Sequence, residues 1–287
     1  MRVADESIAR AVLNVLRAPS LRSAGFRCAA SIFSHFFALQ YGAALFPGRI
    51  PVSKADHPLD AAIPFTPRWV AVYLDFIHFW VRCLGFLLRT YRQAVFSLAR
   101  DFIGAVTEIY RLAGRVYRKN LSTTSRPRRI ANCRFLLIYL FDPHLMCIPS
   151  LHVLMVILTY TRFRDIVQAM GDEARFASLI EEVRQQALRI TESVLYVKQH
   201  SINCVAASLY MMTRLNPRLF PQEEARRFVS ELFIHQSPPC AVDRERIAGY
   251  IQELYSRFLA EGNAGSWEAP LLAFLASKRG AAPEPSP

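Results

Sequence analysis

The sequence predicts an all-α protein, and the spacing of its apolar residues carries that prediction. Near the N-terminus, apolar residues recur with helical period at Ile8, Val12, Leu13 and Leu16. Residues 176–190 repeat the pattern, with an apolar stripe among charged and amide side chains that suits a helix in contact with water. Apolar stretches lie between these segments, and 52% of the 287 residues are hydrophobic. A chain of this length and composition can bury one large core.

The first predicted unit is residues 1–60, a set of helices that includes a candidate membrane segment. Residues 1–21 do not resemble a secretory signal, because charged side chains interrupt the apolar core that such a signal requires. Residues 28–46 carry no formal charge, and a helix of nineteen residues could cross a bilayer. Five prolines between residues 47 and 68 then predict a loop or a re-entrant segment.

A second apolar stretch covers residues 69–88, but Asp75, His78 and Arg82 interrupt it. Their spacing places all three on one helical face. That face could point into the interior of a membrane bundle, or the segment could be a core helix of a protein that does not span at all. Residues 91–118 have helical period and too many charges for a membrane span.

Two histidines stand in apolar surroundings that suit phosphoryl transfer. Residues 147–152 read Cys-Ile-Pro-Ser-Leu-His, and residues 198–200 read Lys-Gln-His. One histidine could attack a phosphorus atom while the other protonates the leaving oxygen. A helix that begins at Pro149–Ser150 would offer free N–H groups and a positive dipole end, which favour phosphate. Either histidine taken alone could instead be a hydrogen-bonded core residue.

An ordered set of three motifs links these histidines to an upstream basic segment. The set reads Lys119-x6-Arg126-Pro127, then Pro-Ser-Leu-His ending at His152, then Ser193-x6-His200. It resembles the motifs of the type 2 phosphatidic acid phosphatase superfamily, which includes acid phosphatases, haloperoxidases and inositol phosphorylceramide synthases. The Lys-Gln-His form and residues 63–69 are similar to the membrane branch of that superfamily. The resemblance covers roughly residues 60–212.

The resemblance implies an all-α helical bundle of the acid phosphatase type, partly embedded in a membrane. It places the core at 61–215. The polar, helical pattern that follows predicts a helical extension at 216–279, and the composition of 280–287 predicts a disordered tail. His200 would attack phosphorus to form a phosphohistidine, and His152 would protonate the leaving group, without metal or cofactor. The implied phosphate-binding residues are Lys119, Arg126, Lys198, Ser193 and the backbone near Ser150 and Leu151.

Two positions depart from the family pattern. Val194 replaces a basic residue of the third motif, and Lys198 could supply that charge one helical turn later. Cys204 replaces the aspartate that orients the nucleophilic histidine, and a thiol is a weak hydrogen-bonding partner. Asn203, on a neighbouring helical face, could orient the ring instead. Cys204 is therefore a candidate catalytic position.

Three functions follow as alternatives. The first is a metal-independent lipid-phosphate phosphatase or phosphotransferase. The second is a catalytically impaired member of the same superfamily that binds lipid phosphates. The third is a helical metal-binding protein, whose nitrogen and sulfur ligands would come from His144, Cys147, His152, His200 and Cys204.

Charge and cysteine usage bound the partners. The net charge of +12 favours contact with anionic head groups, and no zinc-finger or RNA-binding pattern points to nucleic acid. The expected partners are a lipid or polyprenyl phosphate and a membrane of the bacterial inner-membrane type, with a soluble cytoplasmic protein as the alternative. The six cysteines lack paired spacing, which argues against a disulfide framework. The oligomeric state stays open.

Overall fold

A computed structural model describes residues 2–127, 131–234, 240–263 and 265–279. The described chain is predominantly α-helical, which confirms the predicted all-α class. The predicted disordered tail, 280–287, lies outside the described residues. The helices are α1 (Ile8–Arg17), α2 (Pro19–Ile32), α3 (Ala38–Leu45), α4 (Val70–Leu74), α5 (Phe76–Tyr91), α6 (Phe96–Tyr117), α7 (Cys133–Phe141), α8 (Leu151–Ala169), α9 (Ala177–Tyr196), α10 (Ile202–Leu215), α11 (Gln222–Ser230), α12 (Ala241–Gly262) and α13 (Ala269–Ser277).

The N-terminal helices form an outer layer. A π-helical turn, Phe33–Phe37, joins α2 to α3, so that Pro19–Leu45 forms one continuous helical stretch. Its inner side packs on α6, where the Ser31 hydroxyl donates to the Thr107 carbonyl oxygen at 3.2 Å. Helix α1 packs on α5, where a Cβ added at Gly85 would lie 2.8 Å from the Ala11 Cβ.

Helix α8 is the centre of the fold. It packs against α5, α6, α9 and α10, and it is buried along almost its whole length. The sequence explains this position, because residues 151–163 are apolar on every side of the helix and only a fully enclosed helix can satisfy such a pattern. Helices α9 and α10 lead into and out of the segment that carries His200. The core of the protein therefore holds both motif histidines.

A short parallel sheet fixes the chain ahead of α8. Strand β1 (Val52–Lys54) pairs with β2 (Leu121–Thr123), with Ser53 opposite Ser122. Ser122 also bridges to Met146, and its hydroxyl accepts a hydrogen bond from the Ile148 N–H at 2.7 Å. These bonds fix the position of the Pro-Ser-Leu-His segment relative to β2 and to the basic segment that follows β2.

Helices α11–α13 cover α10 and the sheet. Gly262, at the end of α12, lies against Tyr210 of α10, whose hydroxyl donates to the Trp267 carbonyl oxygen at 2.9 Å. Glu268, just before α13, is 1% exposed and forms ion pairs with Arg115 and Lys119 of the α6 end. This buried carboxylate ties the C-terminal helices to the core.

Within the described residues, two helical stretches are long and apolar enough to cross a membrane, judged by length and composition alone. The first is Pro19–Leu45, which contains most of the predicted segment 28–46. Of its most apolar stretch of 18 residues, 17% is buried. The second is Pro67–Tyr117, which contains the predicted segment 69–88. Of its most apolar stretch of 18 residues, 44% is buried. The difference means that the first stretch presents far more apolar surface to its surroundings.

Candidate active site

The two motif histidines are in contact. His152 lies in the first turn of α8, and His200 lies in the short loop between α9 and α10. Nε2 of His200 is 3.3 Å from Nδ1 of His152, and the ring centroids are 5.3 Å apart at an interplanar angle of 64°. The structure therefore brings the proposed nucleophile and the proposed acid to one place from positions 48 residues apart.

Aromatic rings hold His152 in place. Tyr73 stacks on it with ring centroids 4.4 Å apart and an interplanar angle of 22°, and Phe76 lies on it with centroids 4.0 Å apart. Burial lowers the pKa of His152 well below its usual range, and the neighbouring His200 and His144 rings lower it further. His152 is therefore neutral at pH 7.

His200 is held by the loop around it and by the start of α8. The Asp60 carboxylate accepts hydrogen bonds from the N–H groups of Ile202 at 3.0 Å and His57 at 2.8 Å, which fixes the residues after His200. The Ser150 hydroxyl lies 3.3 Å from Nε2 of His200 and caps α8 by accepting from the Val153 N–H.

Burial also keeps the His200 ring neutral. Burial lowers the pKa of His200 to about 3. A hydrogen bond to the Cys147 backbone opposes this shift, and the positive charge of Arg126 adds to the shift. A neutral imidazole carries the lone pair that a nucleophile needs. Nδ1 of His200 and Nε2 of His152 are both buried and make no hydrogen bond within the described part of the chain. Among the described residues, no side chain therefore orients His200 at Nδ1, and the backbone of Cys147 is the group that favours the protonated form of the ring.

Of the three predicted phosphate-binding cations, the structure places one beside the histidines. The Arg126 guanidinium donates to the Asp142 carboxylate at 2.7 Å, and its charge acts on both His144 and His200. Lys119 instead donates to Glu268 at 2.6 Å, because that buried carboxylate requires cationic partners.

The Lys198 ammonium is also engaged elsewhere. It donates to the Asp60 carbonyl oxygen, and the Lys198 backbone has a positive φ of 55°. Burial lowers the pKa of Lys198, although the charges of Asp60 and Asp56 oppose that shift. The three predicted cations therefore do not converge, because Lys119 and Lys198 are engaged elsewhere.

The remaining predicted site residues serve the backbone. The Ser193 hydroxyl is buried and donates to the Ile190 carbonyl oxygen within its own helix at 2.6 Å. The Cys204 sulfur accepts from the Ser201 N–H at 3.4 Å and so caps α10. Asn203, a candidate for orienting the His200 ring, donates to the Ala55 carbonyl oxygen and accepts from Tyr250. The Asn203 amide is therefore already committed to β1 and α12.

A cavity of about 230 Å³ opens beside the two histidines. Its floor holds His152, His200, Leu151 and Asp142, and its walls are mostly apolar. The helical stretch Pro19–Leu45 forms one wall with Ile32, Phe36, Phe37 and Gln40, and α4–α5 form the opposite wall with Tyr73, Phe76, Ile77 and Trp80. An amphiphile with a polar head at the floor and an apolar body between the walls would suit this shape.

Sequence reasoning missed the polar residues that organise the cavity floor. Asp142 accepts from Gln40 at 2.9 Å and from the His144 N–H at 2.9 Å, in addition to Arg126. The Thr124 hydroxyl lies 2.8 Å from Nε2 of His144. In the sequence, Asp142 indicates only a turn, because a proline follows it. Gln40 carries a stronger signal, since a lone glutamine inside an apolar helix predicts a buried polar partner.

The metal alternative has no ligand set in the structure. Within the ranges described, no three His, Cys, Asp or Glu side chains come together as ligands could around a metal ion. Cys147 lies 3.7 Å from Nε2 of His144, but burial raises the pKa of its thiol strongly, and a thiol binds metal only after it loses its proton.

Comparisons with known proteins add nothing to this geometry. No protein-family model matches the chain, and no significant match exists among curated proteins or solved structures.

Proposed function

We propose that the chain transfers the phosphoryl group of a lipid phosphate through a phosphohistidine, without a metal ion. The contact between His200 and His152 on the floor of an apolar cavity carries this proposal. The resemblance of the motif set to the type 2 phosphatidic acid phosphatases supports the same chemistry.

The reaction is a double displacement. The Nε2 lone pair of His200 attacks phosphorus while the bond between phosphorus and the leaving oxygen breaks. His152, which takes up a proton when the phosphate dianion binds, gives that proton to the leaving oxygen. Water then attacks the phosphohistidine, His152 takes a proton from the water, and phosphate leaves His200 unchanged. An alcohol in place of water would make the same site a phosphotransferase.

Electrostatics assist each step. The Arg126 guanidinium and the positive end of α8 would neutralise the equatorial oxygens of the phosphoryl group. A phosphate dianion in the cavity would also raise the pKa of His152, because a nearby negative charge favours the protonated imidazole, and would so supply the proton that the leaving oxygen needs. The substrate has to separate the rings first, since 3.3 Å leaves no room for phosphorus between them.

A second candidate is an impaired member that binds the phosphate ester without turnover. Two observations favour it: Nδ1 of His200 has no partner in the described chain, and Lys119 and Lys198 are engaged elsewhere. Loss of the orienting aspartate costs about 10⁴-fold in the serine protease triad. Cys204→Asp tests whether a carboxylate at this position restores turnover.

The deciding experiment measures hydrolysis of dioctanoyl phosphatidate and of an aryl phosphate by purified protein in excess chelator. We expect turnover that His200→Ala abolishes and that His152→Ala lowers about 10²-fold or more with the alkyl ester, and less with the aryl ester, whose leaving group needs no proton. His78→Ala is the matched control, because this histidine is exposed and lies outside the cavity.

Trapping separates the two candidates. Labelled substrate should leave an acid-labile, base-stable phosphate on wild type and none on His200→Ala. A wild type without chelator-resistant turnover, whose Cys204→Asp variant is equally inactive, would refute the enzyme and leave the binding protein. Turnover that survives His200→Ala would refute the phosphohistidine.

A further inference from the structure

We propose that the protein lies flat on an anionic membrane surface through the outward side of its N-terminal helices and α7. The contact surface, called the docking face below, consists of the exposed apolar residues Val12, Leu13, Leu16, Phe26, Phe33, Phe37, Tyr41, Leu45, Phe46, Leu136, Leu137, Leu140 and Phe141. This inference does not depend on the proposed chemistry.

The docking face follows helical geometry. Phe26, Phe33, Phe37, Tyr41 and Leu45 recur at intervals of seven and four residues along Pro19–Leu45, which places them in one stripe. Phe33 is 64% exposed and Leu45 is 74% exposed. A stripe of large apolar side chains that no other part of the fold covers is uncommon in a monomer and marks an interaction surface.

Neighbouring helices extend this stripe on both sides. Val12 and Leu16 of α1 share a shallow apolar groove with Phe26. At the other end, the Tyr41 hydroxyl donates to the Phe141 carbonyl oxygen at 2.6 Å, which joins α7 to α3. The docking face is therefore one continuous apolar surface.

Charge identifies the partner as an anionic bilayer. Residues 7–55 contain six basic residues and no acidic residue. Arg22 lies one helical turn before Phe26, and the Arg49 guanidinium lies over the Phe46 ring at 4.3 Å. Apolar rings with arginines beside them, in a segment without acidic residues, are complementary to lipid tails beneath anionic head groups.

The packing of α6 decides that Pro19–Leu45 lies along the membrane and does not cross it. Helix α6 packs along the inner side of α2 and carries exposed charges from Asp101 to Arg115. In the ion pair between Glu108 and Arg111, for example, each side chain is about half exposed. If both helices crossed together, these charges would enter hydrocarbon, at a cost of about 3 kcal/mol or more for each residue.

The docking face borders the cavity. Phe37 belongs to both, and the exposed Ile77 stands on the opposite wall of the cavity. A membrane against this face would present its lipids directly to the floor that holds the histidines. The orientation therefore gives an amphiphile a path from bilayer to site without passage through water.

Vesicle flotation of the full chain tests the proposal. The probes are vesicles of phosphatidylcholine alone and vesicles of equal parts phosphatidylcholine and phosphatidylglycerol. We expect binding to the anionic vesicles that weakens as salt rises. The double variant Phe33→Glu, Leu45→Glu should lower the partition coefficient at least about tenfold. Val242→Glu, on α12, is the matched control, because Val242 is 66% exposed and lies away from the docking face.

Alkaline carbonate extraction of the bound protein tests the orientation, and we expect release. Retention in the membrane would overturn the flat arrangement in favour of a span. Absence of vesicle binding, or equal loss with Val242→Glu, would overturn the docking face. A dimer in the absence of lipid that Phe33→Glu, Leu45→Glu dissociates would assign the face to a second copy of the chain. Vesicle binding by His200→Ala that equals wild type keeps this result separate from the catalytic proposal.

Discussion

Substitution of Lys119 separates its expected role in phosphate binding from its observed role in the fold. The motif resemblance assigns Lys119 and Arg126 to the same phosphate. In the structure, Lys119 pairs with the buried Glu268, whereas Arg126 lies beside the histidines on Asp142. We therefore expect Lys119→Ala to change stability and Arg126→Ala to change activity.

The size of the stability change follows from the surroundings of the ion pair. Glu268 is 1% exposed, so a complete loss of cations would leave a buried charge, which costs about 3–5 kcal/mol. Arg115 stays on the other carboxylate oxygen, however, and the Lys119 side chain is 57% exposed and screened by solvent. These two facts reduce the expected loss to about 1 kcal/mol.

The assay combines urea unfolding with steady-state kinetics on dioctanoyl phosphatidate. Lys119→Ala should lose about 1 kcal/mol of unfolding free energy and keep kcat/KM within about twofold of wild type. Arg126→Ala should lower kcat/KM about 10²-fold, as removal of a charge-stabilising donor does elsewhere. Arg111→Ala, which removes an exposed ion pair with Glu108, controls for the loss of a cation on α6. Equal losses of kcat/KM in Lys119→Ala and Arg126→Ala would refute this assignment.

Two further predictions concern the fold. Gly262→Ala should destabilise the protein by about 1–3 kcal/mol, because the new Cβ would lie 2.2 Å from the Tyr210 hydroxyl oxygen. The control is Gly249→Ala on the same helix, where a new Cβ meets no atom within 4 Å and should not destabilise the protein. Equal unfolding midpoints for the two variants would contradict this packing. Burial raises the pKa of Glu192 from 4.5 to about 7, with the Phe233 N–H opposing the shift, so the folded state holds a proton that the unfolded state releases. Stability should therefore fall by about 3 kcal/mol as pH rises from about 4.5 to about 7, and Glu192→Gln should flatten that slope in urea titrations; an unchanged slope would exclude Glu192 as its source.

The helices were predictable because their signals are local. The period of apolar residues in α1 and α9 and the apolar character of α8 are written into short windows of sequence. The contact between His152 and His200 was also predicted, because the ordered motif set resembles that of a phosphatase superfamily in which the two histidines act on one phosphate. What these signals share is that each can be read without knowing the tertiary fold.

The partners of the charged residues were not predictable in the same way. Lys119 and Glu268 are 149 residues apart, and no local pattern connects them. The same holds for Gln40 and Asp142, which meet across 102 residues. A motif states which side chains are present, but a buried carboxylate elsewhere in the chain can take the cation that the motif assigns to a ligand.

The stack of Tyr73 on His152 also gives the site a spectroscopic signal of its own. A ring proton held over an aromatic face is shielded by the circulating π electrons, and the centroids here are 4.4 Å apart. The His152 carbon-bound protons should therefore resonate upfield of those of an exposed histidine such as His78. A ligand that pushes the imidazole out of the stack would move these resonances downfield, which makes occupancy visible by magnetic resonance even in a variant that performs no chemistry.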